Sequence, residues 1–304
     1  MRGKVITITL NPAVDRLVRL EKFSAGTEHR AGAGLVSAGG KGINAARALR
    51  ALAVPVMAGG MCGGAAGDLL TALLQKENLP HSFSRIKGET RTNTTMVDRA
   101  GAVTRVIESG PLVTVKEQRA FAALLPEYIK DGAGILFCGS LPPGISAAAF
   151  ARILAAVKGK VPFIGVDTSG DGLKAAIKAK VDMIKPNRAE AEEVLGRRMG
   201  SAAAVEKALA VFLGYGVRQV LISLGKDGLA ASDGHDAVWV RVPPVKGGHA
   251  VGCGDAALAG FVAGRLAGKS FAECADLAAG CGTANMFAAV PGGISRNIVR
   301  KLGL

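Results

Sequence analysis

Two glycine-rich stretches hold the residues of this 304-residue chain that are best suited to chemistry. One, Val251-Gly252-Cys253-Gly254-Asp255, runs straight into an alanine-rich segment with helical spacing at Leu258, Phe261, Val262 and Leu266. Glycines there let the backbone approach a ligand and turn its N–H groups outward. The helix behind adds unpaired N–H groups and the positive end of its dipole, so the junction suits a phosphate or another anion. Asp255 stands at that junction with two readings. It caps the helix, or it takes a proton from a hydroxyl that attacks phosphorus. Cys253 lies in the same turn, where a helix N-terminus lowers a thiol pKa.

The other stretch, Ala38-Gly39-Gly40-Lys41-Gly42-Ile43-Asn44, leads into a helix written AARALRAL, with Asn44 in its first turn. Glycines followed by Lys41 and Asn44 point to a polar ligand rather than a plain loop. Gly252, Gly254 and Ala257 match a dinucleotide fingerprint in letters, but that motif needs a strand directly before it. Pro243, Pro244, Lys246, Gly247 and Gly248 do not make one, and no Gly-x-x-x-x-Gly-Lys-Ser/Thr loop occurs. A nicotinamide-dependent dehydrogenase is thereby disfavoured.

The elements that must position these residues follow from composition and pattern. A chain that is 49% hydrophobic and 4% aromatic, rich in Ala and Gly, suits a folded α/β protein. The net charge of +14 is spread along the sequence without basic runs or interleaved aromatics, so it fits anionic small molecules better than nucleic acid. Five cysteines without a C-x-x-C, and four scattered histidines, indicate neither a disulfide framework nor a zinc site. No apolar run reaches membrane-spanning length and a strand is expected within a few residues of Met1, so a cytoplasmic protein is expected.

The pattern predicts a strand at 5–10, short exposed strands over 17–37, a strand at 56–61 and a helix at 67–77. Strands at 82–86, 94–97 and 104–108 flank a DRAG hairpin turn, with Arg91 just ahead of it. Helices at 116–128, 147–157, 172–179, 189–196 and 201–214 then alternate with strands at 135–140, 163–167, 181–185 and 218–224. A second hairpin at 229–242 and helices at 255–267 and 271–287 close the prediction. Such alternation predicts a parallel sheet covered on both faces. Asn11, Ser140, Lys185 and Gly225 fall just past the C-terminal ends of core strands, the edge where open α/β sheets bind ligands. Asp15, Asn187 and Glu190 follow within a few residues.

At this point the motifs resemble those of the ribokinase-like (phosphofructokinase B) sugar kinases, in their 1-phosphofructokinase and tagatose-6-phosphate kinase branch. TLNPAVD at 9–15, AGGKGINAAR at 38–47, GETRTN at 88–93, GSLPPG at 139–144, KPNRAE at 185–190, SLGKDG at 223–228 and VGCGD at 251–255 occur in the family order. Any one is weak; seven together are specific. The resemblance implies a single domain over 1–304, with a parallel-sheet core, helices on both faces and a small β-sheet lid from about 13–37 and 89–108. It also implies a homodimer through that lid.

The resemblance assigns roles residue by residue. Asp255 is implied to be the base that deprotonates the acceptor hydroxyl, with Gly252, Cys253 and Gly254 as the anion hole. Asp15, Gly39, Gly40, Lys41 and Asn44 are implied to bind sugar, Ser140 to close its pocket, and Arg91 with Lys41 and Arg30 to hold its phosphate. Lys185 and Asn187 match positions near the ATP phosphates, and Asn187 with Glu190 the motif that organises Mg2+ through water. Ser223, Gly225 and Gly228 match the nucleotide loop, and Asn285 a position near adenine. Two positions depart from the family: Cys253 replaces Ala, and Ala256 replaces a hydroxyl residue.

The implied reaction is ATP-dependent phosphorylation of a ketohexose monophosphate, with fructose 1-phosphate first and tagatose 6-phosphate or fructose 6-phosphate as alternatives. A sugar-phosphate-binding regulator without catalysis is disfavoured, because Asp255, Glu190 and both glycine turns are all present.

Overall fold

The computed structural model describes residues 3–32, 34–130, 132–242, 244–245 and 247–301. Pro243 and Lys246, which figure in the reading of the segment before Gly252, lie outside the described residues.

The chain begins with β1 (Lys4–Thr9), β2 (Ala13–Leu20), β3 (Leu35–Gly39), α1 (Lys41–Ala51), β4 (Val56–Gly63), α2 (Gly64–Lys76) and β5 (His81–Ile86). It continues through β6 (Arg91–Asp98), β7 (Val103–Val106), α3 (Val115–Ile129), β8 (Gly132–Cys138), α4 (Ala147–Val157), β9 (Ile164–Asp167) and α5 (Gly170–Lys178). Next come β10 (Met183–Ile184), α6 (Arg188–Leu195), α7 (Ala202–Gly214), β11 (Gln219–Ser223), β12 (Leu229–Ser232) and β13 (Ala237–Val240). Helices α8 (Cys253–Leu266), α9 (Phe271–Asn285) and α10 (Arg296–Lys301) follow.

Two sheets form. The larger has nine strands in the order β13-β12-β11-β10-β9-β8-β1-β4-β5. Its seven strands from β11 to β5 are parallel, and β12 and β13 add the predicted hairpin antiparallel at one edge. Strand β1 reads as near-continuous burial because helices cover both faces of a parallel sheet. On one face Phe121, Phe150, Leu173 and Phe212 of α3, α4, α5 and α7 fill the core. On the other, Ile43, Leu49, Leu70, Phe261 and Val299 of α1, α2, α8 and α10 do so. Each fully buried Phe contributes roughly 2–3 kcal/mol.

The smaller sheet, ordered β3-β2-β6-β7, is assembled from the two segments expected to form a lid. Its paired rows bring Asp15 opposite Asn93 and Ser37, and Ala13 opposite Arg91 and Gly39.

Local differences have physical causes. Helix α1 starts at Lys41 rather than Ala45, because Gly40 (φ 127°) breaks the strand-like backbone one residue earlier. Strand β10 shrinks to two residues, although Lys185 N–H still bonds Val166 O and keeps the chain aligned. Helix α10 was not foreseen. Helix α8 is buried from Asp255 to Gly264, and its small residues let α9 approach closely. A Cβ at Gly260 would come within 2.7 Å of Leu277 O, and one at Gly264 within 2.9 Å of the Cys274 sulfur. This packing fixes where the N-terminus of α8 points.

Candidate active site

The N-terminus of α8 opens at the C-terminal edge of the large sheet. Gly252 is its N-cap, at φ 84°, a left-handed conformation that suits glycine, and no side chain caps the helix. Asp255 is therefore not a cap. Its Oδ2 accepts a 2.8 Å hydrogen bond from Asn44 Nδ2 on α1, and the side chain is buried. The first backbone bond of the helix runs from Ala256 N–H to Gly252 O, and Cys253 N–H reaches back to Ala250 O at 3.3 Å. Of the expected anion-hole donors, Gly254 N–H thus stays outward, joined by Asp255 N–H, while that of Cys253 is turned to its own loop. Neither outward N–H has a partner among the described residues.

Burial pushes the Asp255 carboxyl up to about 6, and the charge of Asp167 adds to this; Lys41, Asn44 and Lys185 oppose it. Asp167, the last residue of β9, is fully buried and lies 2.9 Å from both Lys41 Nζ and Lys185 Nζ. Burial opposes its ionisation, but the two ammonium groups outweigh that and hold its carboxyl below the usual range. Asp167 was not singled out from sequence. The rule that found Ser140 and Lys185 past strand ends applies equally to an acidic residue that closes a core strand.

Lys41 stands between Asp167 and Glu190, whose Oε1 lies 3.5 Å away, and these carboxylates raise its pKa, Asp167 most. Its expected place with Arg91 on the sugar phosphate has no counterpart in these contacts, because the start of α1 aims it at the end of β9. Arg91 instead donates to Glu108 O (2.8 Å) and Asn11 O (3.0 Å) beneath the lid. Arg30 is exposed in the segment between β2 and β3.

Between lid and sheet edge, Asp15 Oδ1 accepts from Asn93 Nδ2 at 2.9 Å. Gly39 must lack a side chain, because a Cβ would meet Asp15 Oδ2 at 2.1 Å. Ser140 Oγ accepts from Asn11 Nδ2 at 3.3 Å. Asn11 Oδ1, Asn93 Oδ1 and Arg91 Nε are buried without a hydrogen-bond partner, an arrangement that calls for a polar ligand.

Beyond Gly254 lies a cleft of about 640 Å³, lined among others by Asn187, Ser223, Gly225, Gly228, Cys253, Thr283 and Met286. Asn187 and Glu190 form a capping box on α6: Asn187 Oδ1 accepts from Glu190 N–H (2.9 Å), and Glu190 Oε2 accepts from Asn187 N–H (2.8 Å). Asn285 does not reach the cleft. It is fully buried, and its amide ties Val251 O (2.8 Å) to Gly292 N–H (2.7 Å), so the wall there falls to Thr283 and Met286. Cys253 is no activated thiol, for burial raises its pKa, aided by the charge of Asp255 and opposed by a hydrogen bond from Asn285.

A buried carboxylate at a helix N-terminus, with a cleft on one side and a lidded polar pocket on the other, fits a ribokinase-like phosphotransferase. The pfkB family carbohydrate kinase model matches residues 5–289, and the chain belongs to that family. The 1-phosphofructokinase of Rhodobacter capsulatus is 34% identical over 280 residues, covering 91% of this chain and 89% of that one. The tagatose-6-phosphate kinase of Staphylococcus epidermidis is 30% identical over 265 residues, with 86% and 85% covered. Phosphofructokinase-2 from Escherichia coli, solved in complex with potassium, superposes with a TM-score of 0.93 at 27% identity, over 99% of this chain and 98% of that one. Among the described residues no helix is long and apolar enough to cross a membrane.

Proposed function

We propose that the protein transfers the terminal phosphoryl group of ATP to a ketohexose monophosphate, with fructose 1-phosphate accepting it at the 6-hydroxyl. The observation that carries this reading is Asp255, buried where the cleft meets the lidded pocket. Its carboxylate accepts the proton of the attacking hydroxyl as the new bond to phosphorus forms. Gly254 N–H, Asp255 N–H and the Lys185 ammonium face the charge on the transferred group. Asp15 and Asn93 bind sugar hydroxyls, with the Asn11 and Asn93 oxygens as further acceptors. Arg91 holds the phosphate already on the sugar, through the Nε that lacks a partner. The lid excludes water, which would otherwise take the phosphoryl group.

The residues present fit a Mg2+ ion held mainly by phosphate oxygens and water. Among the described residues no group of three His, Cys, Asp or Glu side chains forms a metal cage. Asp167 is occupied by two lysines and Asn187 by its cap, so Glu190 Oε1, with Lys41 Nζ at 3.5 Å, would hold the ion through water. When bound, the ion would neutralise charge on the phosphates.

An ADP-release assay with ATP and Mg2+, comparing fructose 1-phosphate, fructose 6-phosphate, tagatose 6-phosphate and fructose, tests the reading. Preference for fructose 1-phosphate supports it. Preference for a 6-phosphate keeps the mechanism and reverses the substrate, and no turnover on any of them removes the kinase reading.

The lid also supports a homodimer. Leu35, Val103 and Val106 on its strands are 41%, 57% and 54% exposed, and edge strands with such side chains favour pairing. Light scattering that finds only monomer overturns this.

A further inference from the structure

Arg47 lies on α1 one turn past Asn44 and is 3% exposed. Its Nη1 donates to Asn44 Oδ1 at 3.2 Å, and Asn44 Nδ2 donates to Asp255 Oδ2 at 2.8 Å. A primary amide has an accepting and a donating end and can present either to a neighbour. A guanidinium has donors only, so the end of Asn44 that meets Arg47 must be the oxygen. The amino end is then left for Asp255.

Arg47 is itself held on several sides. Its Nε and Nη2 fork onto the Glu77 carboxylate at 2.6 and 2.8 Å, Nη2 also donates to Ala38 O at 2.6 Å, and Nη1 reaches Pro291 O at 3.3 Å. A bidentate pair of this kind fixes a guanidinium in its plane as a single contact does not. Glu77 is the C-cap residue of α2, Ala38 belongs to β3, and Pro291 follows α9. Three separate parts of the fold therefore converge on one side chain that touches neither the pocket nor the cleft wall described above.

We propose that Arg47 is a positioning residue for the base: by donating to Asn44 Oδ1 it keeps the Asn44 amino group turned to Asp255. The proposal rests on the reading of Asp255 as the base. Asp255 faces Asp167 on β9, Lys41 on α1, Lys185 after β10, Cys138 on β8 and Cys253 on its own helix. An N–H donor stabilises the carboxylate, the form able to accept a proton. A flipped Asn44 would offer its oxygen instead, which only the protonated and inactive carboxyl can satisfy. The charge of Arg47 also reaches Asp15, so its removal is felt on the sugar side as well, through charge rather than contact.

The test is Arg47→Met, assayed with ATP and fructose 1-phosphate, or with whichever sugar phosphate the wild type turns over. The acid limb of kcat is expected to move up by about half to one pH unit. Turnover at pH 6 falls about two- to five-fold and stays within about two-fold at pH 8.5, while KM for ATP changes less than about two-fold. The midpoint belongs to the folded molecules, so partial unfolding of the variant does not displace it. A second reading uses the wild type alone: the Asn44 amino protons, followed by NMR, titrate with the midpoint of the acid limb. An acid limb left in place in Arg47→Met, an equal loss at every pH, or amino protons blind to that titration overturns the proposal alone. Normal turnover by Asp255→Asn removes the base reading and the proposal with it.

Discussion

Lys185 Nζ lies 2.9 Å from Asp167 Oδ2, and both side chains are almost entirely buried. Lys41 approaches the other carboxylate oxygen at the same distance. Two ammonium groups around one carboxylate place positive groups beside the open N-terminus of α8. The Lys185 ammonium, already desolvated and fixed, suits a phosphate better than a mobile surface lysine does. The same carboxylate acts on Asp255 in the opposite sense and helps to raise its pKa.

Asp167→Asn should separate these two effects. The lysines lose their counter-charge, and removing one partner of a buried pair destabilises by about 3 kcal/mol. Asp255 loses a repelling neighbour while keeping both lysines, so its pKa falls and the acid limb of turnover moves to lower pH. Urea unfolding reads the first effect and a pH–rate profile the second. An acid limb that does not move would show that the two carboxylates do not share a field.

Asp255→Asn should lower turnover about 100-fold or more, with KM for sugar phosphate near the wild-type value. Its stability should change the other way. The carboxyl titrates near 6 in the folded chain against an ordinary 3.8. A group raised in this way contributes stability that is full below the lower value and lost as pH climbs through the upper one. The amide does not titrate. The variant should therefore gain stability relative to wild type between pH 4 and pH 8, by on the order of 2 kcal/mol. Melting temperatures at both pH values check this, and a difference independent of pH would contradict the raised carboxyl.

The sequence carried most of this site for a definite reason. Asp255, Gly254 and Lys185 belong to glycine turns or strand ends, where local pattern and position speak directly. Asp167 escaped notice because one acidic residue at a strand end looks ordinary until two distant lysines are seen to reach it. Arg47 sat three residues after Asn44, the spacing that faces side chains on a helix, but its partner Glu77 comes from a different helix. Asn285 was misplaced because nothing local says whether a buried helix-end amide faces a ligand or ties two loops together. Glu190 caps α6 with one oxygen and faces Lys41 with the other, and sequence spacing shows only that such a cap exists.

Arg91→Ala should weaken the phosphorylated sugar by ten-fold or more in KM and leave KM for ATP within about two-fold, the size of losing a charged hydrogen bond of about 1.5–3 kcal/mol. Among the described residues the side chain bonds only the Glu108 and Asn11 carbonyls, and neither residue lines the cleft. With unphosphorylated fructose the variant and wild type should be alike. Equal weakening of sugar phosphate and ATP would take Arg91 out of the sugar-phosphate site.

Gly254→Ala asks whether the phosphoryl group truly rests on the start of α8. Gly254 is the second residue of that helix, and its φ is not positive, so alanine meets no backbone strain there. An added Cβ would meet only the end of the Lys185 side chain, at 3.1 Å from Nζ and 3.9 Å from Cε. Alanine is favoured over glycine in a helix by up to about 1 kcal/mol, so the melting temperature should hold or rise by a few degrees. The methyl group nevertheless projects where Gly254 lines the cleft, and it displaces the ammonium beside the outward N–H groups. Turnover should fall by at least ten-fold, since even a small misplacement of a reacting group is felt steeply. A protein that is both more stable and much slower would place the transferred group against Gly254. Full activity with raised stability would mean that the group lies elsewhere, and that the glycine serves only to let Lys185 pass.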